Sequence, residues 1–132
     1  MERFEETCMK QFITLMCKGE RVYFDEKNNA FGCGMWLCKG YNIIPFSNVG
    51  KVYHLNAEPI IKDMEYNTAI YKYTDNIGEV YEYNGITVTV DPKFAKLFKG
   101  CDFSVSKGVL TCWFKGVLVG LIMGIRRKDN DK

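Results

Sequence analysis

The sequence has little of what enzymes use for catalysis. It contains one histidine, His54, and no nucleophile or orienting acid stands at a signature spacing from it. The phosphate-binding pattern G-x-x-x-x-G-K, the dinucleotide pattern G-x-G-x-x-G and the hydrolase pattern G-x-S-x-G are all absent from the sequence. We therefore expect a non-enzymatic protein that needs no cofactor.

Long apolar runs are also missing. The longest, Val117 to Ile125, is interrupted by Gly120 and Gly124 and falls well short of the roughly 20 residues that a membrane helix needs. No basic segment followed by an apolar stretch opens the chain, as it would in a secretory leader. We expect a soluble cytoplasmic protein with no membrane contact.

The chain has no C-x-x-C pair, although it contains six cysteines: Cys8, Cys17, Cys33, Cys38, Cys101 and Cys112. Cytosolic thiols stay reduced and pack as small hydrophobes, so core positions are the favoured interpretation. A structural zinc is the alternative, but Cys33 and Cys38 would point to opposite faces of an extended segment. Asp63, Glu65 and Asp75 could bind a metal only if folding brought them together.

The charge balance lacks a strong sign. The formal net charge is +2, and residues 126–132 supply all of it with four basic and two acidic side chains, so residues 1–125 sum to zero. The body is therefore no acidic DNA mimic, and any contact with nucleic acid would depend on local patches. We expect residues 126–132 to form a flexible charged tail.

What the chain does have is enough apolar material for one core. It has 132 residues, of which 47% are hydrophobic and 14% aromatic, so we expect residues 1–125 to form a single domain. Asn, Lys, Tyr and Ile are abundant, which is typical of an AT-rich genome such as that of a low-GC bacterium or its phage.

The first half begins with a predicted helix over residues 3–17. Phe4, Cys8, Phe12 and Leu15 form one apolar stripe, and Gly19 follows as a stop signal. Strands are predicted after it at residues 20–25, 30–37 and 41–46, and residues 51–55 and 68–73 also look extended.

The second half is more regular. Asn84-Gly85 predicts a two-residue hairpin that pairs Tyr83 with Ile86, Tyr81 with Val88, and Glu79 with Val90. Asp91 and Pro92 then predict the start of a short helix, with a buried face of Phe94, Leu97 and Phe98 and an outer face of Lys93, Lys96 and Lys99.

Three strands follow this short helix, so the second half has the order β-α-β-β-β. The first half has the order α-β-β-β, and both helices end in Lys-Gly before a strand, at Gly19 and at Gly100. We therefore predict an α+β fold in which an antiparallel sheet carries two helices on one face.

Residues 83–126, YNGITVTVDPKFAKLFKGCDFSVSKGVLTCWFKGVLVGLIMGIR, resemble the final half-domain of the bacterial DNA sliding clamp, the processivity factor of the replicative polymerase. In that family an Ile-Thr-Val strand leads to a helix and three strands, the last ending in an apolar-Met-Pro-apolar-Arg sequence. The matching stretch here is Leu121-Ile122-Met123-Gly124-Ile125-Arg126, in which Gly124 replaces the proline.

The resemblance implies that the helices face double-stranded DNA, which the family encloses in a ring of six domains. It places Lys93, Lys96 and Lys99 against the DNA backbone, although lysines also suit any solvated helix surface. The family's partner pocket binds an extended apolar peptide from polymerases and repair proteins. Carried over, that pocket consists of Leu121, Met123, Gly124, Ile125 and Arg126.

Two functions remain open at this point. The first is a non-enzymatic clamp-like domain that contacts the DNA backbone or a replication protein, either as a homo-oligomer or as a monomer. The alternative is a small phage-encoded inhibitor that binds and blocks a host enzyme, such as a CRISPR-type defence nuclease. A structural phage component is a third interpretation.

Overall fold

A computed structural model describes residues 3–39, 52–106 and 108–127 of the chain. The predicted strand at residues 41–46 and the predicted tail beyond residue 127 lie outside the described residues. The helices are α1 (Arg3–Cys17), α2 (Glu58–Ile61) and α3 (Pro92–Ala95), and α3 continues as a 3-10 turn, Lys96–Phe98. The strands are β1 (Val22–Asp25), β2 (Ala30–Gly32), β3 (Trp36–Lys39), β4 (Val52–His54), β5 (Ile70–Thr74), β6 (Glu79–Tyr83), β7 (Ile86–Val90), β8 (Asp102–Ser106), β9 (Val109–Phe114) and β10 (Val117–Met123).

The predicted α+β fold is confirmed. Seven strands form the main sheet in the order β4-β1-β2-β3-β10-β9-β8, and β5-β6-β7 form a second sheet. Every strand pair is antiparallel except β1 with β4. The sequence predicted one sheet, and the structure differs because the short helix after β7 carries the chain from the second sheet to the main one.

The first helix has the predicted length and stripe. Phe4, Cys8 and Phe12 are buried against the main sheet. Its end is closed by two hydrogen bonds, from the amide of Gly19 to the carbonyl of Met16 and from the amide of residue 20 to the carbonyl of residue 15. This double closure is the Schellman arrangement, which satisfies carbonyls that the helix leaves free.

The prediction of one strand over residues 30–37 is wrong. β2 and β3 are separate strands that pair antiparallel, with Phe31 opposite Cys38. The chain reverses at Cys33, whose amide donates to the carbonyl of Trp36 at 3.0 Å. Gly32 permits the reversal, because a Cβ there would lie 2.1 Å from that carbonyl oxygen.

The predicted hairpin register is confirmed at all three pairs. Asn84 and Gly85 have φ values of 52° and 83°, as a type I′ turn requires. The predicted helix start is confirmed as well, because the Asp91 side chain accepts a hydrogen bond from the Lys93 amide at 3.0 Å and Pro92 opens the helix.

The two halves of the chain form a symmetrical main sheet. The order β1-β2-β3-β10-β9-β8 reads the same from either end, with an α-β-β-β unit on each side of the β3–β10 pair. α1 lies beside the 3-10 turn, where the Cys8 thiol is 3.8 Å from the carbonyl oxygen of Leu97 and the rings of Phe4 and Phe98 are 6.4 Å apart. Both helices therefore cover the same face, and we call them the helical layer.

The main core fills the space between this helical layer and the main sheet, and it includes Phe12, Phe31, Trp36, Phe98, Leu110 and Ile122. A smaller cluster lies elsewhere, around Ala30, Leu37, Ala57, Val109 and Leu121. The alternation along β10, with Ile122 in one cluster and Leu121 in the other, indicates that the two clusters occupy opposite faces of the sheet.

The segment that leads into the second sheet binds the edge of β8 through residues 67 and 69, and the Ala69 amide donates to the Phe103 carbonyl at 3.2 Å. The side-chain Nδ2 of Asn67 donates to the carbonyl of Val105 at 2.8 Å, and its Oδ1 accepts from the amide of Val105 at 2.9 Å. The Ser104 hydroxyl adds bonds to the backbone of Asn67. Asn67 and Ala69 therefore occupy hydrogen-bonding groups of β8 that an additional strand would use.

Gly120 provides a test of how closely the 3-10 turn packs on the sheet. A Cβ at Gly120 would lie 2.2 Å from Phe98 Cε1 and 2.8 Å from the Leu37 carbonyl oxygen. We expect Gly120→Ala to lower the free energy of unfolding by about 1–3 kcal/mol, because the buried ring must move. Gly34→Ala is the control, since no atom lies within 4 Å of a Cβ there. Equal urea midpoints for the two variants would contradict this packing.

Candidate functional site

The three predicted DNA-binding lysines lie on the outer surface of α3 and its 3-10 turn. Lys93, Lys96 and Lys99 are exposed, while Leu97 and Phe98 on the opposite side are buried. The Nζ of Lys93 lies 3.8 Å from the Asp91 carboxylate, an exposed pair that contributes little to stability. The buried side chains thus fix the backbone from which the three ammonium groups project.

The helical layer as a whole carries mainly positive charge. The exposed side chains that carry a formal charge at pH 7, between residues 3 and 17 and between residues 92 and 99, are Arg3, Glu6, Lys10, Lys93, Lys96 and Lys99. Glu6 is the single acid among them, and its carboxylate lies 3.3 Å from Lys10. The layer therefore has a local positive surplus that the neutral total of residues 1–125 conceals.

The five predicted partner-binding residues do not lie together. Leu121 is 3% exposed and belongs to the smaller core cluster, while Met123 is exposed at the end of β10. Gly124, Ile125 and Arg126 do lie together, and they line an open groove of about 340 Å³ with residues 87–89 and Gly108. A peptide at this groove would contact the backbone after β10 rather than Leu121.

Gly124, which the sequence comparison set against the proline of sliding clamps, has a structural role here. The Gly124 amide donates to the Gly108 carbonyl at 2.9 Å, a bond that proline cannot make. A Cβ at Gly124 would also lie 2.7 Å from that oxygen. The chain after β10 therefore passes closer to the β8–β9 turn than a proline at this position would allow.

The chain beyond β10 then crosses to the second sheet. The Ile125 amide donates to the Thr89 carbonyl at 2.6 Å, and Arg127 binds the Thr89 hydroxyl and the Asp75 carboxylate. Asp75 also accepts from the amides of Ile77 and Gly78 in the β5–β6 turn. These contacts tie the end of the main sheet to the second sheet, and they include Arg127, which the sequence analysis assigned to the tail.

Asp75 is therefore a structural carboxylate rather than a metal ligand. Its hydrogen bond to the Arg127 guanidinium, with further bonds from the turn amides, lowers its pKa to about 2. Within residues 3–39, 52–106 and 108–127, no three His, Cys, Asp or Glu side chains lie close enough to share a metal ion. Sequence reasoning missed the Asp75–Arg127 pair because the two residues are 52 positions apart and no local pattern links them.

The pKa of Asp75 predicts how stability depends on pH. A carboxyl whose pKa is lowered by folding stabilises the protein above its unfolded value of 3.8, and this contribution is lost as the pH falls toward 2. We expect Asp75→Asn to be less stable than the wild type at pH 7 and to approach it at pH 2.5, in urea unfolding followed by circular dichroism. The exposed Asp63→Asn is the control, and a constant difference at both pH values would contradict the assignment.

The predicted packing of the cysteines is confirmed for three of the six. Cys8, Cys38 and Cys112 are fully buried, whereas Cys17 is exposed, and all six thiols are free. Burial raises the pKa of Cys38 and Cys112 well above the ordinary value and that of Cys101 to about 12. These three thiols are therefore protonated at neutral pH, which makes them poor nucleophiles and poor metal ligands.

Exposed aromatic and aliphatic side chains are concentrated on the second sheet. All five residues of β5 are exposed, and Tyr83 and Ile86 are exposed at the hairpin end. Tyr71, Tyr83 and Ile86 lie on one face of the second sheet. Tyr71 pairs with Tyr81, which lies two residues before Tyr83 on β6, and Tyr83 pairs with Ile86. We call these three residues the tyrosine surface. The predicted register had paired Tyr83 with Ile86, but the sequence did not place Tyr71 beside them and gave no sign that the three side chains reach the solvent.

Comparison with protein-family models, curated proteins and solved structures finds no match to this chain. No helix among the described residues is long and apolar enough to cross a membrane.

Proposed function

We propose that this protein is a non-enzymatic binding protein whose clamp-like domain contacts the phosphate backbone of double-stranded DNA through the helical layer. The observation that carries the proposal is the exposure of Lys93, Lys96 and Lys99 on one side of a helix whose other side is buried. Arg3 and Lys10 are exposed on α1 and add two further basic side chains to the helical layer.

The repeated arrangement of the main sheet supports a clamp-like domain. Two α-β-β-β units meet at β3 and β10, and both helices lie on one face. A sheet that supports two adjacent helices can present the basic side chains of both helices to a duplex. Lysines on such a surface bind phosphate without reading the base sequence, as a protein that slides along DNA requires.

We propose that Gly124, Ile125 and Arg126 form the centre of the partner site, where an extended apolar peptide of a replication protein would bind. The groove that they line is open, and the exposed Met123 lies immediately before it in the chain. Met123 provides a flexible apolar contact, which suits a surface that accepts several peptides.

Charge reversal on the helical layer tests the proposed DNA contact. Lys93→Glu/Lys96→Glu should abolish the retention of duplex DNA, because each reversal replaces attraction to phosphate with repulsion. In the wild type, three phosphate contacts predict that the logarithm of the binding constant falls with the logarithm of salt concentration with a slope of about −3. Sedimentation with and without duplex at two salt concentrations measures both the retention and the self-association.

The matched control is Lys62→Glu/Lys72→Glu, which changes the net charge of the protein by the same amount. Lys62 is the residue after α2, and Lys72 lies on β5. We expect this variant to retain duplex DNA. Equal loss in both double variants would indicate a dependence on total charge alone and would contradict a site on the helical layer.

The tyrosine surface favours the second candidate function, a phage-encoded inhibitor that blocks a host enzyme such as a CRISPR-type nuclease. Tyr71 is 52% exposed, Tyr83 42% and Ile86 50%. Tyrosine supplies large contact area at small entropic cost and is enriched in protein interfaces. In this case the main sheet is a scaffold, and DNA binding is not expected.

Transformation of a host with an active CRISPR-type nuclease tests the inhibitor. If the protein inhibits, plasmid survival should be high with the wild type and should fall with Tyr83→Lys/Ile86→Lys, because charged side chains cannot be buried at the interface without cost. Ile60→Lys/Val117→Lys changes two exposed apolar residues elsewhere and should leave survival high. No protection by the wild type, or no difference between the variants, would reject this function for that nuclease.

A further inference from the structure

The main sheet divides at one end of the β3–β10 pair. The two strands are paired only as far as Cys38 and Gly120. Beyond that point β10 stays beside β9 as far as Val117, and β3 stays beside β2 as far as Lys39. A cleft therefore opens between the two strands, at the opposite end of the pair from the groove at Gly124.

One wall of this cleft is apolar and comes from α1 and from the start of β10. The rings of Phe4 and Phe114 lie 5.5 Å apart between their centroids, and residues 117–119 complete the wall. The pairing of β10 with β9 skips Val119, and a bulge of this kind bends a strand. The cleft measures about 550 Å³, a size that suits a small organic molecule with an aliphatic or aromatic body.

Three lysines line the cleft beside the apolar wall. Lys115, in the β9–β10 turn, lies against it with its Nζ 5.3 Å from the centroid of the Phe114 ring. Lys39 ends β3, Lys27 lies in the β1–β2 turn, and their flexible stems let the ammonium groups reach a ligand. Within the described part of the chain, none of the three forms an ion pair with an acid. An anion in the cleft would supply the counter-charge.

The acidic residues near the cleft leave these lysines in excess. Glu5 lines the cleft but is only 3% exposed. Glu26 is exposed in the same turn as Lys27 and does not line the cleft. Asp25 faces the smaller core cluster on the other side of the sheet, where its carboxylate accepts from the Ala57 amide at 2.7 Å.

Both turns that carry lysines have a fixed backbone. In the β1–β2 turn, the Asp25 carboxylate accepts from the amide and from the side-chain Nδ2 of Asn28, at 3.2 and 2.8 Å. In the β9–β10 turn, Lys115 and Gly116 have φ values of 52° and 79°, as a type I′ turn requires. The two sides of the cleft are therefore in place before a ligand arrives, which lowers the entropic cost of binding.

We propose that this cleft binds a small organic anion with an apolar body, such as an aromatic or aliphatic carboxylate, sulfonate or phosphate ester. The apolar body lies against Phe4, Phe114 and Val117, and the anionic group pairs with Lys39 and Lys115. The cleft shares no residue with the proposed DNA-binding lysines, the partner groove or the tyrosine surface. The inference therefore does not depend on the proposed function.

Two dyes with the same fluorophore test whether the cleft requires an anion. Anilinonaphthalene sulfonate is titrated into the folded full chain, and phenylnaphthylamine, which lacks the sulfonate, is the neutral counterpart. We expect the sulfonate to bind saturably, at one dye per chain. The neutral dye should bind at least about tenfold more weakly, because it loses the charged hydrogen bonds to lysine. Dye fluorescence measures both affinities.

Two matched pairs of variants locate the binding site. Val117→Asp places a carboxylate on the apolar wall and should weaken the sulfonate at least about tenfold through repulsion. Ile60→Asp changes an exposed residue outside the cleft and alters the net charge equally, so it should bind normally. Lys115→Gln should weaken the sulfonate, whereas Lys62→Gln, which also removes one exposed lysine, should not. Urea midpoints show whether each variant is folded.

Four results would overturn the proposal. They are no saturable binding of the sulfonate, equal affinity for the two dyes, equal weakening in a variant and its control, and displacement of the sulfonate by duplex DNA. The last result would assign the cleft lysines to a DNA-binding surface. Lys93→Glu/Lys96→Glu should bind the sulfonate as the wild type does while it loses the duplex, so the two proposals can fail separately.

Discussion

The pairing of β3 with β10 is the contact on which the rest of the molecule depends. It joins the first α-β-β-β unit to the second, with Leu37 opposite Leu121 and Trp36 opposite Ile122. Phe98 packs the 3-10 turn after α3 against the β3–β10 pair, because Gly120 leaves room for the Phe98 ring. The β3–β10 pair thus makes the main sheet continuous. It also sets the distance between α1 and the α3 segment, and with it the position of the lysines on the helical layer.

The local features of the fold could be predicted wherever a short signal fixed the backbone. Asn84-Gly85 determined the hairpin register, and Asp91-Pro92 determined where α3 begins, because each depends only on neighbouring residues. The turn at Cys33 could not be predicted in this way. Its flanking residues are all apolar or small, so a continuous strand and a tight hairpin have the same pattern, and pairing with β10 decides between them.

The candidate site was predictable in part for the same reason. The exposure of Lys93, Lys96 and Lys99 follows from helical periodicity. The clefts, however, are formed by residues far apart in the sequence. Trp36 and Phe94, for example, both line a cleft between the helical layer and the β2–β3 turn, and no local pattern brings them together. Likewise, the alternation along β10 gives no indication that Leu121 faces a second core cluster instead of the solvent.

The Asn67 amide has a consequence for assembly. At the β8 edge, the Asn67 side chain supplies one donor and one acceptor, and the Ala69 amide supplies a second donor, to groups that a neighbouring strand would use. An aspartate at position 67 would keep the acceptor and lose the donor that the Val105 carbonyl needs. That change would free one carbonyl of the edge for pairing with another copy of the chain, so resistance to fibre growth at that end depends in part on the side-chain nitrogen of Asn67.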